Sequence, residues 1–259
     1  MPNIFDYLKW RDIPIEKVEQ NEVDNLILSR ISYFPFDGIL EKEEKITLKE
    51  AYDRYLKLKK KAHFLQKEDK ELFELISNSL RFKDIFISNY INKVDLLEEK
   101  QISAITFYLP DDTIYVAFRG TDDTLIGWKE DLNMSYSNFV PAQEDAVKYL
   151  EDVARKNKQP LIVGGHSKGG NLAIYASAFC KESIKKRIIK IYNNDGPGFS
   201  KNVVENVKYK NIIEKTYTYI PQTSIIGRLL NHEGKATIIK STQTRNYATW
   251  YLFMASFRR

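Results

Sequence analysis

At 259 residues the chain can bury one large core, or a core with a smaller lobe beside it. Hydrophobic residues make up 43% and charged residues 29%, with no repeat or low-complexity tract, which excludes a disordered chain. Forty Lys and Arg against thirty-five Asp and Glu leave a formal charge of +5, interleaved in runs such as Glu41 to Lys45 and Lys67 to Glu71. Such runs read as solvated helix faces and exclude a nucleic-acid footprint.

The first ten residues carry no apolar core behind a basic start, and no stretch approaches the length of a membrane span. The single cysteine, Cys180, excludes an internal disulfide and reads as a core residue. The expectation is a cytoplasmic protein without a transmembrane segment, in contact with a membrane surface weakly if at all.

Residues 1–95 read as a mainly helical segment that packs on or caps a core formed by 96–259. Leu26, Ile27 and Ile31 share one side of a first helix. Thr47 is the expected N-cap of a helix carrying Leu48, Ala51, Tyr52, Tyr55 and Leu56, with Glu50 completing a capping box. Leu72, Leu75, Ile76 and Leu80 continue the pattern in another helix, while His63 reads as a structural or exposed residue at a helix end. From Gln101 the period changes to alternation, and Pro110-Asp111-Asp112 turns the chain into a buried strand over Thr113 to Phe118. A polar loop from Arg119 to Asp131 follows. Pro141 to Asn157 is a helix; Arg187 to Tyr192, Thr216 to Ile220 and Ala236 to Ile239 are strands, with a short helix over Thr223 to Leu230. Strands separated by helical patterns predict an α/β fold with a mostly parallel sheet.

The most informative stretch is Leu161 to Tyr175: an apolar strand, a glycine-flanked serine and a helical pattern. Gly165-His166-Ser167-Lys168-Gly169 fits G-x-S-x-G, the nucleophile elbow, where a tight strand-to-helix turn holds the serine hydroxyl out above the sheet. No phosphate-binding glycine pattern is present.

Val116 to Thr121, followed by Trp128 and Asp131-Leu132, together with Gly165 to Gly169, resembles the class 3 lipase family. More closely, Asn3 to about Ser241 is similar to a bacterial lipase-like branch of unknown function. The resemblance implies an α/β-hydrolase core, flanked by helices and preceded by the helical N-terminal segment, with a serine nucleophile. It supplies no substrate.

A serine hydroxyl needs a base to take its proton and an acid to orient that base. In this fold the chain order is Ser, acid, His. His166 is constrained by the elbow and His63 precedes the core, so His232 remains as the base by elimination. Asp195 is the candidate acid because it directly follows a core strand; the alternative is that it merely caps the turn. Class 3 lipases place the acid after the following strand, and Tyr217 to Ser224 has no carboxylate. Either the acid has moved to Asp195, or the protein works without the usual triad. Lipase-like relatives carry the catalytic histidine beyond the last strand, whereas Arg245 to Arg259 has none, which is expected of a truncated or altered C-terminal end.

The oxyanion hole is expected from the backbone N–H groups of Thr121 and Lys168. Arg119 and Asp131 are expected to brace the loop through a salt bridge, and the Lys168 side chain to be solvated. Two functions follow. One is a serine hydrolase cleaving a carboxylic ester, a small molecule or lipid, through an acyl-enzyme intermediate, with no metal or organic cofactor. The other is a catalytically weak or inactive hydrolase-fold protein with a binding or regulatory role.

Overall fold

In the computed structural model, which describes residues 3–59, 64–95, 100–121, 141–234 and 236–240, eight strands form one sheet in the order in which they occur along the chain. They are β1 (Lys45–Thr47), β2 (Phe86–Asp95), β3 (Lys100–Tyr108), β4 (Ile114–Phe118), β5 (Leu161–His166), β6 (Ile188–Asn194), β7 (Thr216–Pro221) and β8 (Ala236–Ile239). β1 to β4 pair antiparallel, and β4 to β8 pair parallel. Strand β4 therefore joins a meander to the parallel half, and its five residues are all buried.

Alternation along the strands divides the core between two faces. Ile105, Phe107, Tyr115, Ala117 and Ile162 point to the side covered by α1 (Ile4–Trp10), α2 (Glu22–Ile31), α3 (Leu48–Lys57) and α4 (Asp69–Asn78). Ala104, Ile114, Val116, Phe118 and Val163 point to the other side, under α5 (Pro141–Lys156) and α6 (Lys168–Phe179). This is the helix-flanked, mostly parallel sheet of an α/β hydrolase. Among the described residues no helix is long and apolar enough to cross a membrane.

The helical reading of 1–95 requires correction at two places. β1 is a three-residue strand just before α3, and Phe86–Asp95 is a ten-residue strand paired with β3. Asn89 sits at φ 54° and the register shifts between Ser88 and Ile91, so a bulge breaks the alternation that would mark a strand. Leu80 lies beyond α4 and is exposed, and the short helix expected over Thr223 to Leu230 is a single 3-10 turn, Ile226–Arg228.

Thr47 accepts the Glu50 N–H at 3.1 Å as the N-cap of α3. The Glu50 carboxylate bonds to Arg54 at 2.7 Å rather than closing the capping box. Thr47→Ala is expected to cost about 1 kcal/mol, read as a lower midpoint in urea with an unchanged slope.

Two buried ion pairs fasten the N-terminal helices. Arg30 binds Asp69 through both carboxylate oxygens at 2.7 Å. Arg81 pairs with Asp24 and also donates to the carbonyls of Ile13, Val18 and Glu19 at 2.7, 3.0 and 3.1 Å. Cys180 is buried, as the sequence implies, and burial pushes its thiol up to about 12.

Candidate active site

Leu161, Ile162 and Val163 are fully buried, so β5 runs through the middle of the sheet before the chain turns into α6. The turn falls on Ser167, held at φ 55° and ψ −130°, a conformation that L residues rarely adopt. It closes because residues 165 and 169 carry no side chain. A Cβ on Gly165 would strike the Gly169 carbonyl, and a Cβ on Gly169 the Phe118 carbonyl. Ser167 is half-buried.

The end of β4 presses on this turn. A Cβ on Gly120 would lie 3.1 Å from Ser167 Cβ, and nearer still to the Tyr33 hydroxyl and the His166 carbonyl. Trp128 and Asp131 lie outside the described residues, as do His63 and the segment after 240. Arg119 is buried and donates to Asn92 Oδ1 at 3.0 Å. Lys168 opens α6, so its N–H lies at the positive end of that helix. Its side chain is not solvated as expected: it is 1% exposed, because the first turn of α6 packs on the sheet, and Nζ donates to the Gln101 carbonyl at 3.1 Å.

Asp195 stands at the next strand end. His166 is in register with Asn194 across β5 and β6, and the Ser167 N–H donates to the Asn194 carbonyl at 2.9 Å. Ser167 and Asp195 are therefore each one residue beyond a matched pair. Asp195 is also at positive φ, 57°, and fully buried. Its Oδ1 accepts the Gly227 N–H at 3.1 Å, while Oδ2 has no hydrogen-bond partner among the described residues. Burial pushes this carboxyl up to about 7, against the lowering pull of the Ser224 hydroxyl, the Gly227 N–H and the Arg228 charge. Gly227 follows β7, so the carboxyl springs from the end of β6 but rests against the loop after β7.

His232 touches the same residue. Burial holds its imidazole below the ordinary histidine range, against hydrogen bonds to the backbone of Gly227 and Leu229. Its Nε2 is buried and has no partner among the described residues. Ser167 and Asp195 thus stand at neighbouring strand ends, and Asp195 and His232 both interact with the backbone of Gly227. Among the described residues no hydrogen bond joins His232 to Ser167 or to Asp195.

Several residues of this region are not evident in the sequence. Asn194 donates to Ser29 Oγ at 3.1 Å and to the Gly165 carbonyl at 3.1 Å, and accepts from Asn25 at 2.9 Å. Tyr115 donates to Asn25 Oδ1 at 2.6 Å. This buried network ties α2 to the ends of β5 and β6. Asn193 Oδ1 accepts the Gly196 N–H at 2.8 Å, shaping the turn that carries Asp195. Two asparagines closing an apolar strand are the one sequence signal for it, since a buried amide must find partners. A groove of about 630 Å³ on the α5 side, bordered by Tyr90, Ile102, Tyr149 and Arg155, contains none of the candidate residues. Among the described residues no group of three or more His, Cys, Asp or Glu could hold a metal ion.

The helix-flanked sheet and this strand–serine–helix turn define an α/β-hydrolase fold. The chain belongs to the Mbeg1-like family, whose model matches residues 76–252. No curated protein matches it. Among solved structures it is similar to a Rhizomucor miehei lipase propeptide complex in two forms. The deletion mutant shares 18% identity at TM-score 0.43, over 60% of this chain and 56% of that one; the native form shares 16% at 0.42, over 59% and 57%. It is also similar to a mutant form of MDLA from Penicillium cyclopium, with 13% identity and TM-score 0.48 over 91% of this chain and 87% of that one. The chain thus spans little more than half the length of the Rhizomucor miehei chains it matches.

Proposed function

We propose that this protein is a serine hydrolase that cleaves a carboxylic ester, from a small molecule or a lipid, through an acyl-enzyme intermediate, and that it works in the cytoplasm. Ser167 Oγ attacks the ester carbonyl and gives its proton to His232 Nε2. The tetrahedral oxyanion forms against the N–H groups of Thr121 and Lys168. It collapses as the C–O bond to the alcohol breaks and His232 returns the proton to the departing oxygen. A water then repeats the sequence on the acyl-serine and releases the acid. Asp195, ionised, orients the imidazole. The observation that carries this reading is a strained, half-buried serine with a fully buried carboxyl at the adjacent strand end. The position of that carboxyl against the loop after β7 supports an acid displaced by one strand, since class 3 lipases carry theirs in that loop.

Asp195 also sets a pH dependence. With its carboxyl raised to about 7, the ionised fraction grows through neutrality, while His232, lowered by burial, is already neutral and able to accept a proton. Turnover is therefore expected to rise about tenfold per pH unit below 7 and to level off above it. The reading is tested on a series of p-nitrophenyl esters from acetate to dodecanoate. Ser167→Ala and His232→Ala are each expected to lose about 10³-fold or more in kcat at wild-type melting temperature. Hydrolysis that survives Ser167→Ala would contradict it.

The second reading, a hydrolase-fold protein with a binding or regulatory role, is favoured by the absence, among the described residues, of a hydrogen bond from His232 to Ser167 or to Asp195. A folded protein that turns over none of these esters supports it.

A further inference from the structure

Tyr33, just after α2, reaches across the sheet end to both halves of the candidate site. Its hydroxyl accepts the Gly120 N–H at 2.9 Å. The same hydroxyl lies 3.0 Å from Nδ1 and 3.3 Å from the carbonyl of His166, the residue next to Ser167. The side chain is 3% exposed. Its ring meets the His166 ring edge-on at 5.9 Å, and the Arg30 guanidinium lies 5.4 Å from its centre. Arg30 is itself held by both oxygens of Asp69, so the hydroxyl is delivered by an immobilised support.

From this geometry we infer that Tyr33 is a positioning residue that fixes the separation between the oxyanion loop and the serine turn. The inference rests on the serine-hydrolase reading and deepens it. The Tyr33 hydroxyl engages the Gly120 N–H, which removes that group as a donor to substrate; on the serine-hydrolase reading the donor from this loop is the next residue, Thr121. It also holds Gly120 against Ser167, where a Cβ would not fit. Without the hydroxyl, a buried N–H loses its acceptor and the loop shifts to find another. Hole donors act only when aimed at the developing oxyanion, so a small displacement lowers reaction rate without changing how well the neutral reagent binds.

The test is the kinetics of covalent labelling by a fluorophosphonate: as Ser167 Oγ bonds to phosphorus and fluoride leaves, the phosphoryl oxygen gains negative charge as an ester carbonyl oxygen would. Rates are measured against reagent concentration at least ten degrees below every melting temperature. Tyr33→Phe is expected to slow the maximal labelling rate by about 10- to 100-fold, with the half-saturating concentration unchanged. Thr47→Ala, a cap far from the site, serves as a destabilised control and is expected to label at the wild-type rate. Equal maximal rates for Tyr33→Phe and wild type overturn the inference while leaving the hydrolase reading intact. Absence of labelling in the folded wild type overturns both. If Tyr33→Phe does not fold, 3,5-difluorotyrosine placed at 33 keeps the ring and weakens the hydroxyl as an acceptor. Its labelling is expected to be slower and to acquire a pH dependence as that hydroxyl ionises; an unchanged rate and pH profile overturn the inference.

Discussion

Asp195→Asn is expected to raise the melting temperature at pH 8 while removing ester turnover. The carboxyl is fully buried, one oxygen has no partner among the described residues, and burial raises it to about 7. In the unfolded chain it titrates near the ordinary value of about 4. Between these two values the folded state holds a proton that the unfolded state has released, so the wild-type protein loses stability as pH rises from 4 to 7. Above 7 the loss is complete, on the order of 2–4 kcal/mol at ~1.4 kcal/mol per decade. Asparagine keeps the acceptor for the Gly227 N–H and never ionises. The variant is therefore expected to melt higher by about 5–12 °C at pH 8, with no gain at pH 4. The measurement is a thermal melt of both proteins at each pH. An equal or lower melting point for the variant at pH 8 contradicts the burial account of Asp195.

Arg81→Ala is expected to destabilise the protein more than any surface change. The guanidinium pairs with a carboxylate, Asp24, whose side chain is 0% exposed, and it accounts for donors to three carbonyls of the segment before α2. Removing it leaves a buried charge and three acceptors without that donor, a loss of about 3–5 kcal/mol or a fall of about 10–15 °C in melting temperature. By contrast, Arg155 and Asp152 form a pair at 3.0 Å with side chains 73% and 66% exposed. Arg155→Ala is expected to shift the midpoint by less than about 2 °C. Thermal melts of the two variants beside wild type decide the comparison, and similar losses in both would contradict it.

What the sequence made legible follows from where burial and backbone geometry leave a local trace. The hairpin from Gln101 to Phe118, the central strand from Leu161, and the stripe of α5 were readable because each buries residues at its own period. Ser167 was readable because only glycines two positions either side let the turn close. β2 was not, since Asn89, Asn92 and the bulge between Ser88 and Ile91 interrupt its alternation. The burial of Lys168 leaves no local mark either, because it depends on a carbonyl 67 positions away. Tyr33 is an ordinary tyrosine until the fold sets its hydroxyl against residues 87 and 133 positions further on. Asp195 is intermediate: its place after a strand was visible, but its contact with the loop after β7 was not.

The most direct test of the central claim is intact-mass analysis after treatment with a fluorophosphonate, with the adduct located by peptide mapping. The account predicts one adduct per chain, on Ser167, in the folded protein, absent from Ser167→Ala and from heat-denatured protein, and strongly reduced in His232→Ala. A folded protein that takes up no label, or carries it on a residue other than Ser167, would contradict the claim that this serine is an activated nucleophile.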